Sequence, residues 1–407
     1  MKKLLLLTLL LVAGNLTAQE IEIEAATHPY YDIIEWKGMG ALLLSKDPEN
    51  VAKQINITLV GNEESSIWDQ KFTPKNDEYY YIASENARYV YFLDNLELDN
   101  GKIYFSQLNS AGNVKSTSVS LGNAVKKLGK YDYNKLDLIN VVVTDKALVH
   151  HFRYEDKANK SIVEIATFIT HHNFLAYAVE LGSIPTSSLK NEDIGQWDYI
   201  GFTGDQIYFA ARDIISKKKG WSVRDFSSKG KAGSTTFIDA PDNLISVENI
   251  GFGTTGKYYL GNKTTIDKGL LNFSNGEFYM VGGQRDGNGA ELTLYQLVAD
   301  EWEELNNMQL SYFIEKKTLQ LGIYPLNEGL AYHLDHNGYN KASIITFDKN
   351  MESAHNSFTD RTIYNPSSVF NRKEKEEFSV TLPDAVLIFN TSQLNNTGSV
   401  KFELKGK

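Results

Sequence analysis

Short apolar runs separated by polar turns fill the chain, and helical periodicity is nearly absent. The runs are rich in Tyr, Phe, Ile, Val and Thr, whereas the turns are rich in Asn, Asp, Gly and Lys. This pattern is typical of β-strands joined by tight turns. The sequence therefore predicts an all-β protein.

One type of apolar segment recurs along the chain, with starts that lie about 57 residues apart on average, a spacing that fits one four-stranded propeller blade with its loops. The segments are Ala41 to Ser45, Tyr89 to Leu93, Ala147 to Phe152, Gln206 to Ala210, Glu277 to Val281, Gly329 to Leu334 and Ala385 to Asn390. Since there are seven such segments, the sequence predicts a β-propeller with seven blades.

The two ends of the chain are predicted to share one blade. The last unit supplies only three strands, Phe378 to Leu382, Ala385 to Asn390 and Ser399 to Leu404. Near the N-terminus, Glu20 to Ala26 alternates acidic and apolar residues, as an outer strand with one solvated face does. We expect this strand to complete the last blade, which closes the ring and removes two exposed edges.

Other arrangements of the strands remain open at this point. A pair of β-sandwiches or an open array of strands also satisfies the all-β pattern. The number of blades is six, seven or eight, because Lys102 to Gln107 repeats the segment pattern within the second unit and Gly251 to Phe273 contains extra strand-like runs.

Residues 1–18 have the order of a secretory signal peptide: Lys2 and Lys3, an apolar run from Leu4 to Val12, then small and polar residues up to Ala18. We expect residues 19–407 to form a single propeller domain. The chain has no cysteine, so we expect neither a lipid anchor nor a disulfide. No later run is long enough to span a bilayer, which predicts a periplasmic or secreted protein without direct membrane insertion.

Acidic residues outnumber basic ones, 51 against 41, and give a formal net charge of -10 at pH 7. Such a surface repels the phosphates of nucleic acids and anionic lipids. We therefore expect no nucleic-acid partner, while a protein, a glycan or a cation remains open.

Two histidine pairs, His150-His151 and His171-His172, are the candidates for binding a metal. Neighbouring residues of a strand point to opposite faces, so each pair offers one ligand per face. If the turn at Lys157 to Asn159 joins antiparallel strands, His151 lies opposite Ile165 and the two pairs lie far apart along the blade. We therefore predict no metal site, and no motif indicates a cofactor.

Four carboxylates, Asp32, Glu35, Asp198 and Glu248, lie on or beside predicted innermost strands. Two carboxylates at a channel mouth are the arrangement that glycoside chemistry uses, which gives a glycan hydrolase or lyase as the alternative function. The Ser-x-Asp-x-Gly-x-Thr-Trp box of sialidase-like propellers, the Gly-x-Ser-x-Gly elbow and the His-Glu-x-x-His motif are all missing. A non-enzymatic function is therefore favoured.

A binding surface is expected on one side of the ring, which we call the loop face. It carries the connections between blades and the loops between the second and third strands of each blade. Tyrosine and arginine dominate protein interfaces because they combine large area with directional polar groups. The candidates on this face are Tyr131, Tyr133, Lys218, Arg285, Tyr312, Tyr339, Arg361, Tyr364 and Arg372. Alternatively, some of these rings pack their own loops against the blades.

The signal ending in Ala18-Gln19, the composition rich in lysine, asparagine and tyrosine, and the irregular strands resemble secreted seven-bladed β-propellers of the Bacteroidota. The resemblance covers the whole chain and rests on composition and repeat pattern, without a diagnostic motif. Propellers of that group often serve as non-enzymatic partners of outer-membrane machines, including the type IX secretion translocon and nutrient-uptake complexes. The resemblance implies a binding or scaffold protein whose partner is an outer-membrane protein.

Overall fold

A computed structural model describes the chain in segments between Gln19 and Gly406. The described residues are 19–24, 28–36, 38–46, 53–61, 66–75, 79–83, 88–129, 131–186, 197–216, 218–240, 258–260, 266–274, 276–286, 289–310, 319–326, 329–336, 341–347, 353–358, 377–381, 385–390 and 399–406. The predicted signal peptide, residues 1–18, lies outside them.

Strands in these segments form seven antiparallel sheets, which are the blades. The first strand is β1 (Gln19–Glu24). Blade 1 contains β2 (Tyr30–Trp36), β3 (Gly40–Lys46), β4 (Ile55–Val60) and β5 (Ser66–Phe72). Blade 2 contains β6 (Tyr80–Ala83), β7 (Tyr89–Leu93), β8 (Lys102–Asn109) and β9 (Val114–Ser120). Blade 3 contains β10 (Leu136–Val143), β11 (Ala147–Asp156), β12 (Ser161–Thr170) and β13 (Ala176–Pro185).

The second half of the chain repeats the arrangement. Blade 4 contains β14 (Trp197–Thr203), β15 (Gln206–Ile215), β16 (Lys218–Ser227) and β17 (Ala232–Asp239). A short strand, β18 (Tyr258–Leu260), precedes blade 5, which contains β19 (Ile266–Ser274), β20 (Glu277–Asp286), β21 (Gly289–Val298) and β22 (Glu301–Leu310). Blade 6 contains β23 (Leu319–Leu326), β24 (Gly329–His336), β25 (Lys341–Phe347) and β26 (Ser353–Phe358). Blade 7 contains β27 (Glu377–Thr381), β28 (Ala385–Asn390) and β29 (Ser399–Gly406).

The connection between blades 2 and 3 carries the helical turns of the described residues. They are an α-helix, α1 (Leu121–Lys126), and a 3-10 helix (Tyr133–Lys135). No helix in the described segments has the length and apolar content needed to cross a membrane.

The prediction of an all-β propeller with seven blades is confirmed. Every recurring apolar segment is the second strand of a blade, namely β3, β7, β11, β15, β20, β24 and β28. The innermost strands of neighbouring blades lie side by side, β27 with β2, β2 with β6, β6 with β10, β14 with β19 and β19 with β23. This succession of separate sheets is not a sandwich, in which two sheets share one core.

Second strands gave the clearest signal because both of their faces are buried. In β3, every residue from Gly40 to Ser45 is buried, since alternate side chains pack against the two neighbouring blades. Such a strand is a continuous apolar run in the sequence. The largest fully buried side chains of the described residues are Trp36, Trp221, Tyr91, Phe92, Phe105, Phe152, Phe168, Phe209 and Phe402.

The N-terminal strand closes the ring as predicted. β1 pairs with β29 in an antiparallel ladder from Gln19 opposite Leu404 to Glu24 opposite Ser399. Ile21 and Ile23 enter the core between blades 7 and 1, whereas the alternate glutamates are exposed. This is the period of two that the alternating sequence indicates.

The two regions that left the blade count open have separate explanations. Lys102 to Gln107 lies in β8, the third strand of blade 2. Part of the run Gly251 to Phe273 is β18, which pairs with β23 and gives blade 6 a fifth strand at its inner edge. Ile266 to Phe273 belong to β19 of blade 5, so the described part of this region forms no additional blade.

The pairing within blade 3 differs by one residue from our expectation. His151 lies opposite Ala166, not Ile165. The turn between β11 and β12 contains four residues, because Lys160 adopts a positive φ of 50° and does not join the strand. This shift places His150 directly opposite Thr167.

Four innermost strands of the described residues contain a β-bulge or register shift. In β19 it lies between Ile266 and Leu270, and the other three bulges precede Asp32 in β2, Asn140 in β10 and Gly201 in β14. The side-chain oxygens of Asp32 and Asn140 each accept a hydrogen bond of 2.9 Å from the next backbone N–H, which stabilises the local bend. Gly201 has no side chain, and its φ of 149° lets it approach the carbonyl oxygen of Phe273 in blade 5.

Candidate functional site

A cleft opens on the loop face between blades 2 and 3, with one side completed by blade 1. Its volume is about 970 Å³. The cleft is lined by residues of the β3–β4 loop, the β7–β8 loop, the connections that lead into β6 and β10, and the first residues of those two strands. The predicted binding face therefore carries a concave site.

The floor of the cleft is apolar. It is made by Tyr80 of β6, by Leu96 and Leu98 of the β7–β8 loop, and by Leu136 and Leu138 of β10. All five side chains are half-buried and pack against the core between blades 2 and 3. The floor is thus the solvent-facing end of an interblade core, which gives it rigid support.

Hydrogen bonds from side chains to backbone groups hold the β7–β8 loop in place. The Asn95 carboxamide accepts a bond of 2.8 Å from the Tyr104 N–H and donates one of 3.1 Å to the Lys102 carbonyl. Asp94 accepts a bond of 3.0 Å from the Lys75 N–H. Burial raises the pKa of Asp94 despite that bond. These contacts fix the loop that presents Leu96.

Tyr133 forms one wall of the cleft and is positioned by two glycines. A Cβ added to Gly122 would lie 2.9 Å from the Gly101 Cα and 3.0 Å from the Tyr133 ring. The tyrosine ring therefore packs directly on glycine backbone, which a larger residue would push away. The Lys126 ammonium lies 4.8 Å from the centre of the same ring.

The charged side chains around the rim of the cleft differ in whether another group of the protein already pairs with them. The Lys75 ammonium donates a hydrogen bond of 3.1 Å to Asp99 and lies 3.3 Å from the centre of the Tyr104 ring. Partial desolvation lowers the pKa of Lys75, but the bonds to Asp99 and Tyr104 outweigh it and the pKa is raised. Glu97 and Asp137 are exposed, and neither carboxylate has a hydrogen-bond or ion-pair partner within the described segments.

The histidine pairs lie away from the cleft. His171 Nδ1 is 2.5 Å from the Tyr91 hydroxyl, to which the Gln107 amide donates, and His171 Nε2 donates to the Thr144 carbonyl at 2.9 Å. Burial lowers the pKa of His171 to about 4. This neutral, bonded histidine packs blades 2 and 3 together near the face opposite the loop face.

His151 belongs to a buried ionic network. Its Nε2 lies 2.7 Å from Glu164, whose other carboxylate oxygen accepts two bonds of 3.0 Å from Arg153. Burial raises the pKa of Glu164, but the bond to His151 and the charges of His151 and Arg153 outweigh it and hold the pKa below its usual value. The network stabilises blade 3 where His151 meets Phe209 of blade 4.

His150 is fully buried on the other face of β11, and neither ring nitrogen has a hydrogen-bond partner. The Thr167 hydroxyl, directly opposite, is also without a partner. Burial lowers the pKa of His150 to about 3. Among the described residues, no group of three or more histidines and acids is arranged to hold a metal ion.

The carboxylates proposed for glycoside chemistry are spread over different blades. Asp32 lies on β2 of blade 1, and Asp198 lies on β14 of blade 4. Glu35 also lies on β2, and Glu248 lies outside the described residues. The hydrolase or lyase alternative stays a prediction.

The predicted binding residues have different surroundings. Tyr133 lines the cleft, and Lys218 is exposed and forms an ion pair with Asp239. Tyr131 is buried beneath α1 against blade 3, where its hydroxyl donates to Glu180. Arg285 lies on β20. The remaining candidates lie outside the described residues, namely Tyr312, Tyr339, Arg361, Tyr364 and Arg372.

The floor leucines and the two unpaired acids were missed from the sequence. One signal was present: Leu96-Glu97-Leu98 and Leu136-Asp137-Leu138 each place an acid between two leucines near a strand end. Nothing in the sequence indicates that the two triplets meet, because they belong to different blades.

No protein-family model and no curated protein matches this chain. Among solved structures, it is similar to the β-propeller domain of the Trilobed protease from Pyrococcus furiosus, which is described as having an open velcro topology. That likeness has 8% identity, a TM-score of 0.41 and coverage of 94% of this chain and 96% of the other. The chain is also similar to an uncharacterized protein of Listeria monocytogenes, at 8% identity and a TM-score of 0.35, with coverage of 81% and 94%. The propeller assignment rests on the strand pairings, and neither likeness bears on activity.

Proposed function

We propose that this protein is a non-enzymatic binding or scaffold propeller that acts in the periplasm or outside the cell. Its partner is a protein of the outer membrane, belonging to a secretion complex of the type IX kind or to an uptake complex. The cleft on the loop face carries this proposal. Its volume of about 970 Å³ suits a protruding segment of a partner, and its apolar floor with a polar rim is typical of specific binding sites.

The supporting blades make the cleft suitable for docking. Its floor belongs to an interblade core, and its loop is held by hydrogen bonds from the Asn95 side chain to backbone groups. A site of this kind changes little on binding and loses little conformational entropy. The acidic surface around it disfavours nucleic acids and anionic lipid as ligands.

The test is affinity purification from a detergent-solubilised cell envelope, with tagged residues 19–407 as bait. Two variants separate the faces of the ring. Leu96→Asp places a charge in the cleft floor. Leu175→Asp is the matched control, since Leu175 is 50% exposed in the β12–β13 turn on the opposite face.

We expect the unaltered bait and Leu175→Asp to recover the same outer-membrane protein, and Leu96→Asp to lose most of it. Because Leu96 is half-buried against the interblade core, the comparison requires that both variants melt within a few degrees of the unaltered protein. Recovery of no outer-membrane protein by the unaltered bait, or equal recovery by all three, contradicts the proposal.

A further inference from the structure

We infer that the cleft binds a basic apolar segment of a protein partner, in which one large apolar side chain is flanked by arginine or lysine. This inference rests on the proposed function and specifies the chemistry of the docking site. The inference is based on two similar triplets, Leu96-Glu97-Leu98 and Leu136-Asp137-Leu138, which line the cleft from blades 2 and 3.

The leucines of the two triplets select an apolar side chain. All four are half-buried, and they lie together with Tyr80 on the core between the blades. In the free protein this apolar surface faces the cleft, so a partner that covers it removes it from water. A large aliphatic or aromatic side chain is the matching group.

The acids of the two triplets select positive charge. Glu97 and Asp137 are exposed at the rim, and within the described part of the chain neither carboxylate pairs with another group. The basic residues at the same rim are engaged, Lys75 with Asp99 and Tyr104, and Lys53 with another group of the chain. The charge left for a ligand to neutralise is therefore negative.

The position of each acid between two leucines sets the pattern of the ligand. In the inferred ligand, the apolar side chain covers the floor and the cations on either side of it pair with the acids that line the cleft from blades 2 and 3. An acidic segment would bring like charges together at the rim, which lowers affinity. A neutral glycan would leave both carboxylates without a counter-charge.

The experiment measures, in a binding titration, the affinity of residues 19–407 for three synthetic peptides whose termini are blocked. They are Gly-Arg-Leu-Arg-Gly and the analogues in which both arginines are replaced by glutamine or by glutamate. We expect the arginine peptide to bind at least about tenfold more tightly than the glutamate peptide, and added salt to weaken it.

Two double variants test which acids are responsible. Glu97→Gln with Asp137→Asn should weaken the arginine peptide about tenfold, about threefold for each exposed ion pair. The control is Glu301→Gln with Glu303→Gln, which removes two exposed acids from the outermost strand of blade 5. The control should bind the arginine peptide as the unaltered protein does.

Three results would overturn the inference: no binding of the arginine peptide up to about 5 mM, equal binding of the arginine and glutamate peptides, or unchanged binding after loss of Glu97 and Asp137. If the envelope experiment still recovers a partner that Leu96→Asp loses, the proposed function stands and only the chemistry of the segment is wrong. If no outer-membrane partner is recovered but the peptide results hold, the cleft binds basic segments of another source.

Discussion

Acidification is expected to destabilise the protein through the two histidines buried between blades 2 and 3. Burial lowers the pKa of His150 to about 3 and that of His171 to about 4, from an ordinary value of 6.5. Both values lie below those of the unfolded chain, so the unfolded chain binds protons first as the pH falls. The stabilisation is complete above the unfolded pKa and is lost as the pH falls towards the folded values.

The size of the effect follows from these values. At about pH 5, each histidine is almost fully protonated in the unfolded chain and almost fully neutral in the folded one. Each therefore lowers the free energy of unfolding by about 2 kcal/mol relative to pH 8, or about 4 kcal/mol together. Glu164 acts mainly at lower pH, because its folded pKa lies below the usual range for a carboxyl group.

Urea unfolding followed by tryptophan fluorescence at a series of pH values measures this decline. His150→Leu should remove about half of it, because only the His171 contribution remains. It should not lower stability near pH 8, since leucine replaces two buried nitrogens that have no hydrogen-bond partner. His172→Gln is the matched control: that side chain is exposed and its charge is only a minor cause of the low pKa of His171, after burial, so most of the decline should remain. The reasoning fails if His150→Leu retains the full decline or if the unaltered protein is equally stable at pH 8 and pH 5.

Three further substitutions test the ring closure, the ionic network and the bulge. Ile21→Ala should lower the free energy of unfolding by about 3 kcal/mol, whereas Glu24→Ala on the same strand should change it by less than about 0.5 kcal/mol; similar values from urea unfolding would contradict the pairing of β1 with β29. Glu164→Gln should cost about 3 kcal/mol in the same assay, because the Arg153 guanidinium loses its counter-charge and His151 loses its carboxylate partner, and a loss below about 1 kcal/mol would show that the network is not needed. Gly201→Ala should lower the melting temperature and the yield of folded protein, since its Cβ would lie 1.9 Å from a carbonyl oxygen of blade 5; an unchanged melting temperature would argue against that close approach.

The blades could be predicted from the sequence because their second strands are buried on both faces. Ala41 to Ser45 shows the reason. Its side chains pack into the hydrophobic cores on both sides of blade 1, so the strand has no solvent-facing side and polar residues do not interrupt its apolar sequence. The closing strand could be predicted for the opposite reason. In β1, the acids on one face and Ile21 and Ile23 on the other give a period of two.

The pairing registers of the strands could not be predicted to the residue, because each depends on the local backbone conformation of a turn or bulge. Lys160 adopts a positive φ that lengthens the β11–β12 turn, and the bulge before Asn140 moves one residue of β10 out of the ladder. Neither position carries a glycine, which would have been the usual signal. The inner strand β18 could not be predicted from the sequence either, because its three residues are too few to show an alternation of apolar and polar positions.

The cleft could not be predicted because it is made by two blades rather than by one motif. Leu96 and Leu98 lie in a loop that the sequence shows only as a polar connection with two apolar residues. Leu136 and Leu138 are ordinary residues of an innermost strand. Only the packing of blade 2 on blade 3 brings these side chains together, and the expectation of tyrosines and arginines on the loop face identified Tyr133 alone among the residues that line the cleft.

The pairing of β1 with β29 also determines when the protein can finish folding. Gln19 is synthesised long before its partner Leu404, because the two residues lie on the first and last strands of the ring. Until then, Ile21 and Ile23 have no strand to join, and blade 7 lacks its outer edge. The ring is therefore completed only after β29 has been synthesised, by a contact between its first and last strands, and such non-local pairing is slow. A chain that stops before β29 leaves two unpaired strand edges at once, so truncated products should be prone to aggregation and degradation.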